Sequence, residues 1–185
     1  MRKIICFLLL CLFVFGCAGK PTPTQVKGNL KFGPYVIAPP KGYWYFPSRY
    51  PKVFKSSKIN FLVTFWEDKE DTSRESYPKD RIGVFFNFGV TANTYKNIEA
   101  YYDAARISGV TYKELPNEAE MLKTIAHWSC KQTGQGMYGI ECISLKDNIV
   151  TIGAYGGDKN AVLSKIQLLQ KMLESFIMGN NGEIK

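Results

Sequence analysis

Apolar and polar residues alternate through the middle of this chain and recur at helical spacing near its end. Ile59, Phe61, Val63 and Phe65 alternate with Asn60, Leu62, Thr64 and Trp66. Ile82, Val84, Phe86 and Phe88 alternate with Gly83, Phe85, Asn87 and Gly89. Period two with both faces largely apolar predicts two central strands covered on both sides. The charged stretch Glu67 to Asp80 joins them as a polar hairpin tip. Further on, Met121 to Lys131, Met137 to Lys146 and Ile149 to Tyr155 read as a three-strand meander, with a tight turn at Asp147-Asn148. Residues 110–120 read as irregular, with a short strand at Val110 to Lys113.

Two stretches carry the helical period. Ile98, Tyr101, Tyr102 and Ala105 predict a helix from about Tyr95 to Ser108, capped by Thr94 and stopped by Gly109. Val162, Ile166, Leu169, Leu173 and Phe176 form one apolar stripe, with Asp158 as its cap and Gly179 as its end. Upstream, Phe32 to Ala38 reads as a first strand, its Pro34 marking an edge or a bulge. Pro39-Pro40-Lys41-Gly42 is a turn, and Tyr43-Trp44-Tyr45-Phe46 is a short aromatic strand ended by Pro47. The pattern predicts one α+β domain over residues 30–178 and a polar tail over 179–185.

The N-terminus follows a different pattern. Arg2 and Lys3 precede an apolar run from Ile4 to Phe15, about a dozen residues. A bilayer-spanning helix needs roughly twenty, so the run has the layout of an export signal rather than a span. It ends in Val14-Phe15-Gly16-Cys17, which resembles the bacterial lipoprotein signal, or lipobox. That resemblance implies a signal peptide over residues 1–16, lipidation of Cys17 (a diacylglyceryl group and an amide-linked acyl chain such as palmitate) and membrane attachment. Two or more chains hold a protein on a membrane stably. Ala18 after the cysteine, rather than aspartate, resembles the pattern exported to the outer membrane of Gram-negative cells, facing the periplasm. The competing reading is a secretory peptide cut near Ala18, with Cys17 incidental. Residues 17–29, with Pro21 and Pro23, read as a tether.

Composition sharpens this picture in one respect. The 185 residues hold 24 basic and 16 acidic side chains, a net charge of +8, which falls to +6 once Arg2 and Lys3 leave with the signal. From Cys17 to Trp66 there are basic residues (Lys20, Lys27, Lys31, Lys41, Arg49, Lys52, Lys55, Lys58) and no acid. This is the half nearest the lipid, where attraction to anionic headgroups contributes about 1 kcal/mol per residue at the surface. A solvated basic surface is the plainer account. Nucleic acid is a poor partner for a protein of this compartment.

The cysteines divide cleanly. Cys6 and Cys11 leave with the signal and Cys17 takes lipid, so Cys130 and Cys142 remain in a compartment where disulfides persist. A hairpin turning at Gly134-Gln135-Gly136 sets the two directly opposite. Opposed Cβ atoms lie about 4.5–5.5 Å apart, near what a disulfide closes. The alternative is two buried free thiols. Two cysteines without matching histidines make a poor zinc site, so no metal is expected.

Other motifs weigh less. Gly134-Gln135-Gly136-Met137-Tyr138-Gly139 matches G-x-G-x-x-G, but a strand follows it where a dinucleotide fingerprint needs a helix; no cofactor is expected. His127, the single histidine, shares a predicted strand face with Ile125 and Ser129. Neighbours two apart on a strand stand about 6.5–7 Å apart, too far for a serine–base hydrogen bond, and no catalytic residue is assigned. The acids from Glu67 to Asp80 are interleaved with Lys69, Arg74 and Lys79 and read as a solvated tip rather than a cation site. The aromatic stretch at Trp44, with Arg49 and Tyr50, must be partly core. Its other side is the candidate partner-binding surface.

The order of elements resembles the PsbP-type domain. The features that carry this are Pro40-Lys41-Gly42-Tyr43-Trp44, a helix within Asn93–Gly109, the meander Met121–Tyr155 and a closing helix from Asp158 to Ser175-Phe176. The family includes photosystem II extrinsic subunits, a eukaryotic Ran-binding nuclear-import factor and bacterial lipoproteins. The resemblance implies an α/β/α sandwich, a mostly antiparallel sheet of about six to seven strands with helices on both faces. It also implies a non-enzymatic accessory role, as a binding or assembly module for an envelope protein. A carrier or sensor of a small apolar ligand is the second expectation.

Overall fold

The computed structural model describes residues 22–47, 61–69, 83–134 and 136–178. It is an α+β fold built on a large antiparallel sheet. The strands are β1 (Thr24–Gln25), β2 (Leu30–Phe32), β3 (Tyr35–Ile37), β4 (Trp44–Tyr45), β5 (Phe61–Trp66), β6 (Phe85–Ala92), β7 (Thr111–Lys113), β8 (Ser129–Gly134), β9 (Tyr138–Leu145), β10 (Asn148–Gly156) and β11 (Ile177–Met178). The helices are α1 (Ile98–Ile107), α2 (Lys159–Ser164) and α3 (Ile166–Ser175), with a 3-10 helix at Asn117–Thr124. Eight strands form one sheet in the order β1-β4-β5-β6-β10-β9-β8-β7, and β11-β3-β2 form a second, small one. The large sheet therefore holds one strand more than the upper end of the expected six to seven, and the unexpected one is the short edge strand β1, N-terminal to residue 30.

Of the two-sided strands, β5 lies within its predicted stretch, and β6 begins at Phe85, three residues after the predicted start at Ile82, and runs on to Ala92. β5 and β6 pair antiparallel with Val63 opposite Phe88 and Phe65 opposite Phe86, and β6 pairs with β10, Phe88 opposite Ile152. Val63, Phe65, Phe86, Phe88, Ile140, Ile152 and Ala154 are fully buried on one face. They share a core with Val162, Ile166, Leu169, Met172 and Leu173 of α2 and α3. Burying one such side chain contributes roughly 1.5–3 kcal/mol, so this face dominates the stability of the sheet.

Helix ends follow local chemistry. Asp158 caps α2, its carboxylate accepting from the Ala161 N–H at 2.7 Å, as its position predicts. The helix is broken at Lys165 into α2 and α3, while Val162, Ile166, Leu169 and Leu173 stay buried; the Lys165 ammonium reaches Glu67 at 2.7 Å. The chain leaves the helix after Ser175, earlier than Gly179, because Ile177 and Met178 pair with Val36 and Tyr35. α1 starts at Ile98 rather than Tyr95. Its cap is Asn97, which accepts from the Ala100 N–H at 2.9 Å, while Asn93 accepts from the Tyr95 N–H and holds it in a turn.

Two expectations need correction. Met121 to Lys131 is not a continuous strand. Residues 117–124 form a 3-10 helix, in which side chains three apart eclipse, so Ala119 and Leu122 both reach the core; the strand begins only at Ser129. His127 consequently sits in a turn with φ 71°, and it does not share a strand face with Ile125 and Ser129. Phe32 to Ala38 is likewise a hairpin rather than one strand. Gly33 takes φ 61° and, with Pro34, turns β2 into β3, so Pro34 marks a turn and not a bulge.

Candidate functional site

Cys130 and Cys142 stand opposite each other on β8 and β9 and are joined by a disulfide across 12 residues. The G-x-G-x-x-G stretch spans the end of β8 and the start of β9, with Gly136 at φ 79°. Those glycines serve a turn between strands. Cys17, Arg49, Tyr50 and most of the acidic stretch lie outside the described residues.

Trp44 is the one residue of the candidate partner surface that the structure places. The aromatic strand divides as alternation requires. Tyr45 packs on Phe65, centroids 5.8 Å apart, on the core side. Trp44 faces the other way, half-buried, with the Lys69 ammonium 5.1 Å from its ring centroid. A cation over an indole face contributes about 0.5–1 kcal/mol when exposed.

Trp44 begins a row that the sequence does not show. Directly paired residues of a sheet share a face. Trp44 pairs with Trp66, Trp66 with Phe85, Phe85 with Tyr155, Tyr155 with Gly139, Gly139 with Thr133 and Thr133 with Tyr112. The row crosses the sheet from β4 to β7 on the face opposite the main core. Trp66 and Phe85 lie 4.8 Å apart, and Phe85 stacks on Tyr155 at 5.6 Å. Two glycines make room for Tyr155. A Cβ on Gly139 or Gly153 would come within 2.5 or 2.6 Å of its ring.

The row ends at a carboxylate. Glu141, on β9, accepts from the Tyr155 hydroxyl at 2.7 Å and from the Tyr112 hydroxyl. Tyr102 of α1 reaches the Ser129 hydroxyl at 2.9 Å. Burial, with Glu141 alongside, pushes the Tyr112 and Tyr155 phenols well above their ordinary value. Burial pushes Tyr102 up to about 12. All three therefore remain neutral at physiological pH, and Tyr112 and Tyr155 stay donors to Glu141. A cleft of about 330 Å³ opens here, lined by Phe85, Tyr101, Tyr112, Glu141 and Tyr155 among others. Neither Glu141 nor these tyrosines stood out in the sequence, since their convergence depends on strand register.

A second cleft, about 560 Å³, lies between the turn at His127, the β9–β10 hairpin and the end of α3. Trp128, Val150, Leu173 and Phe176 give it an apolar wall. Among the described residues no group of three His, Cys, Asp or Glu is placed to hold a metal ion, and no helix is long and apolar enough to cross a membrane.

No family model matches the chain, and no curated protein matches it. Among solved structures it is similar to a point mutant of the protein Mog1, with 12% identity and a TM-score of 0.47 over 86% of this chain and 97% of that one. It is also similar to the Ran-binding protein Mog1p of Saccharomyces cerevisiae, with 10% identity and a TM-score of 0.46 over 86% and 95%.

Proposed function

We propose that this chain is an envelope lipoprotein, anchored through Cys17, whose domain is a non-enzymatic binding or assembly module for an envelope protein. The observation that carries the reading is the Cys130–Cys142 disulfide. With Cys6 and Cys11 assigned to the signal and Cys17 to lipid, it uses every remaining cysteine in the one way an oxidising compartment favours. The proposed fold is the PsbP-like α/β/α sandwich. Contacts of α1 with Ser129 and of α2 and α3 with the Ile152 face support helices on both faces. The proposed partner-binding residues are Trp44, on β4, and Arg49 and Tyr50, which follow it in the acid-free segment of the sequence.

Cross-linking in intact cells tests this reading. Charge reversal at Lys41, Arg49 and Lys52 is expected to abolish the cross-link to the partner while the protein stays folded and membrane-bound. Cross-links that survive the reversal unchanged argue against it.

The 560 Å³ cleft favours one second reading, a carrier or sensor of a small apolar ligand, because its size falls within the usual range for such sites. An apolar compound released from the native protein on denaturation, and lost on Trp128→Ala, is the result that reading expects.

A further inference from the structure

We propose that the cleft at Glu141 is a binding site for a small organic cation, an alkylammonium. This site lies apart from the surface at Trp44 and from the apolar cleft, so it stands whether or not either of those readings holds.

The argument begins with charge. Glu141 has both carboxylate oxygens hydrogen-bonded, one to Tyr155 at 2.7 Å and the other to Tyr112. Both donors are neutral phenols, so the hydrogen bonds are satisfied and the negative charge is not. The cross-strand neighbour of Glu141 is a lysine engaged elsewhere. Lys131 pairs directly with Glu141 across β8 and β9, yet its ammonium bonds Glu114 at 2.8 Å and lies over the Tyr102 ring at 5.4 Å. Among the described residues no cation comes within ion-pair distance of Glu141. The carboxylate is thus left without a cationic partner among the described residues, and two tyrosines fix it in place.

The surroundings select the ligand. Tyr101, Tyr112, Tyr155 and Phe85 line the cleft around the carboxylate. Aromatic rings attract cations through their quadrupole, and enclosure by several rings with a nearby anion suits alkylammonium groups. A metal ion would find one carboxylate, its two oxygens already engaged by Tyr155 and Tyr112, and otherwise only the neutral oxygens of Asn87, Thr133 and the tyrosines, whereas hard cations bind carboxylates and other oxygens held in a set. The volume, about 330 Å³, lies at the low end for ligand sites, which fits a compact amine rather than a peptide.

The test is a titration of the full chain, purified in a non-ionic detergent, with tetramethylammonium and n-butylammonium chloride, followed by calorimetry and by amide chemical shifts. Neopentyl alcohol serves as the neutral control. The expected result is saturable binding of the cations, with shifts centred on Tyr112, Glu141 and Tyr155. Binding should weaken at least about tenfold for the alcohol and for Glu141→Gln, the scale of a desolvated cation–π and charge contact. Equal binding of the alcohol, shifts centred elsewhere, or no saturable binding would overturn the proposal. The shift map of the unmodified protein decides the matter even if Glu141→Gln fails to fold.

Discussion

Gly139 and Gly153 are small because Tyr155 is large. Both lie under its ring, one across the strand pair and one two residues before it on the same strand, and neither has room for a methyl group. Overpacking a site of this kind costs typically about 1–3 kcal/mol. Gly139→Ala and Gly153→Ala are each expected to destabilise the protein by that amount in urea titrations. Gly28→Ala, with open space around its Cβ, should stay within about 0.5 kcal/mol of the parent. An unchanged midpoint for both sheet glycines would mean that Tyr155 does not lie across them. At this scale the sequence spoke unevenly. The caps at Asp158 and Gly109 were legible, since they depend on neighbours in the chain. Glu141 was not, because its two phenols come from residues 29 and 14 positions away. His127 was misplaced because its φ of 71° belongs to a turn that residue type alone does not announce.

Among the elements, strands were the easiest to read: β5 ends at Trp66 as its alternation predicts, β10 matches the third meander strand to within a residue at each end, and β6 lies three residues later than its alternation predicts. The 3-10 helix at 117–124 was missed because its period of three is neither the strand's nor the α-helix's. The β8–β9 hairpin was legible through its glycines, and with it the opposition of Cys130 and Cys142. Closing a loop of this size stabilises the folded state by about 3 kcal/mol in the chain-entropy account. The double variant Cys130→Ser, Cys142→Ser is expected to lose that amount in urea unfolding, and reductant should bring the parent to the same midpoint. A parent indifferent to reductant would show that the bond carries no stability.

For the whole molecule, the proposed lipid anchor and the charge pattern belong to one reading. The acid-free segment from Cys17 to Trp66 places its basic residues beside the proposed anchor, and Trp44 stands on the edge side of the sheet that this segment builds. The aromatic row then runs from that edge to Glu141 at the far side. The Trp44 surface and the proposed cation cleft would thus be joined by one sheet face. That arrangement was not legible in the sequence, since it needs the register of seven strands at once. The central claim is simpler: the chain is exported, cut before Cys17, lipidated there and oxidised at its last two cysteines. The intact mass of the protein extracted from membranes tests all of this in one measurement. The account predicts a chain lacking residues 1–16, heavier by the lipid on Cys17 and lighter by the hydrogens of one disulfide. A chain that retains residues 1–16, or that begins at Ala18, or that carries an unmodified Cys17, would contradict it.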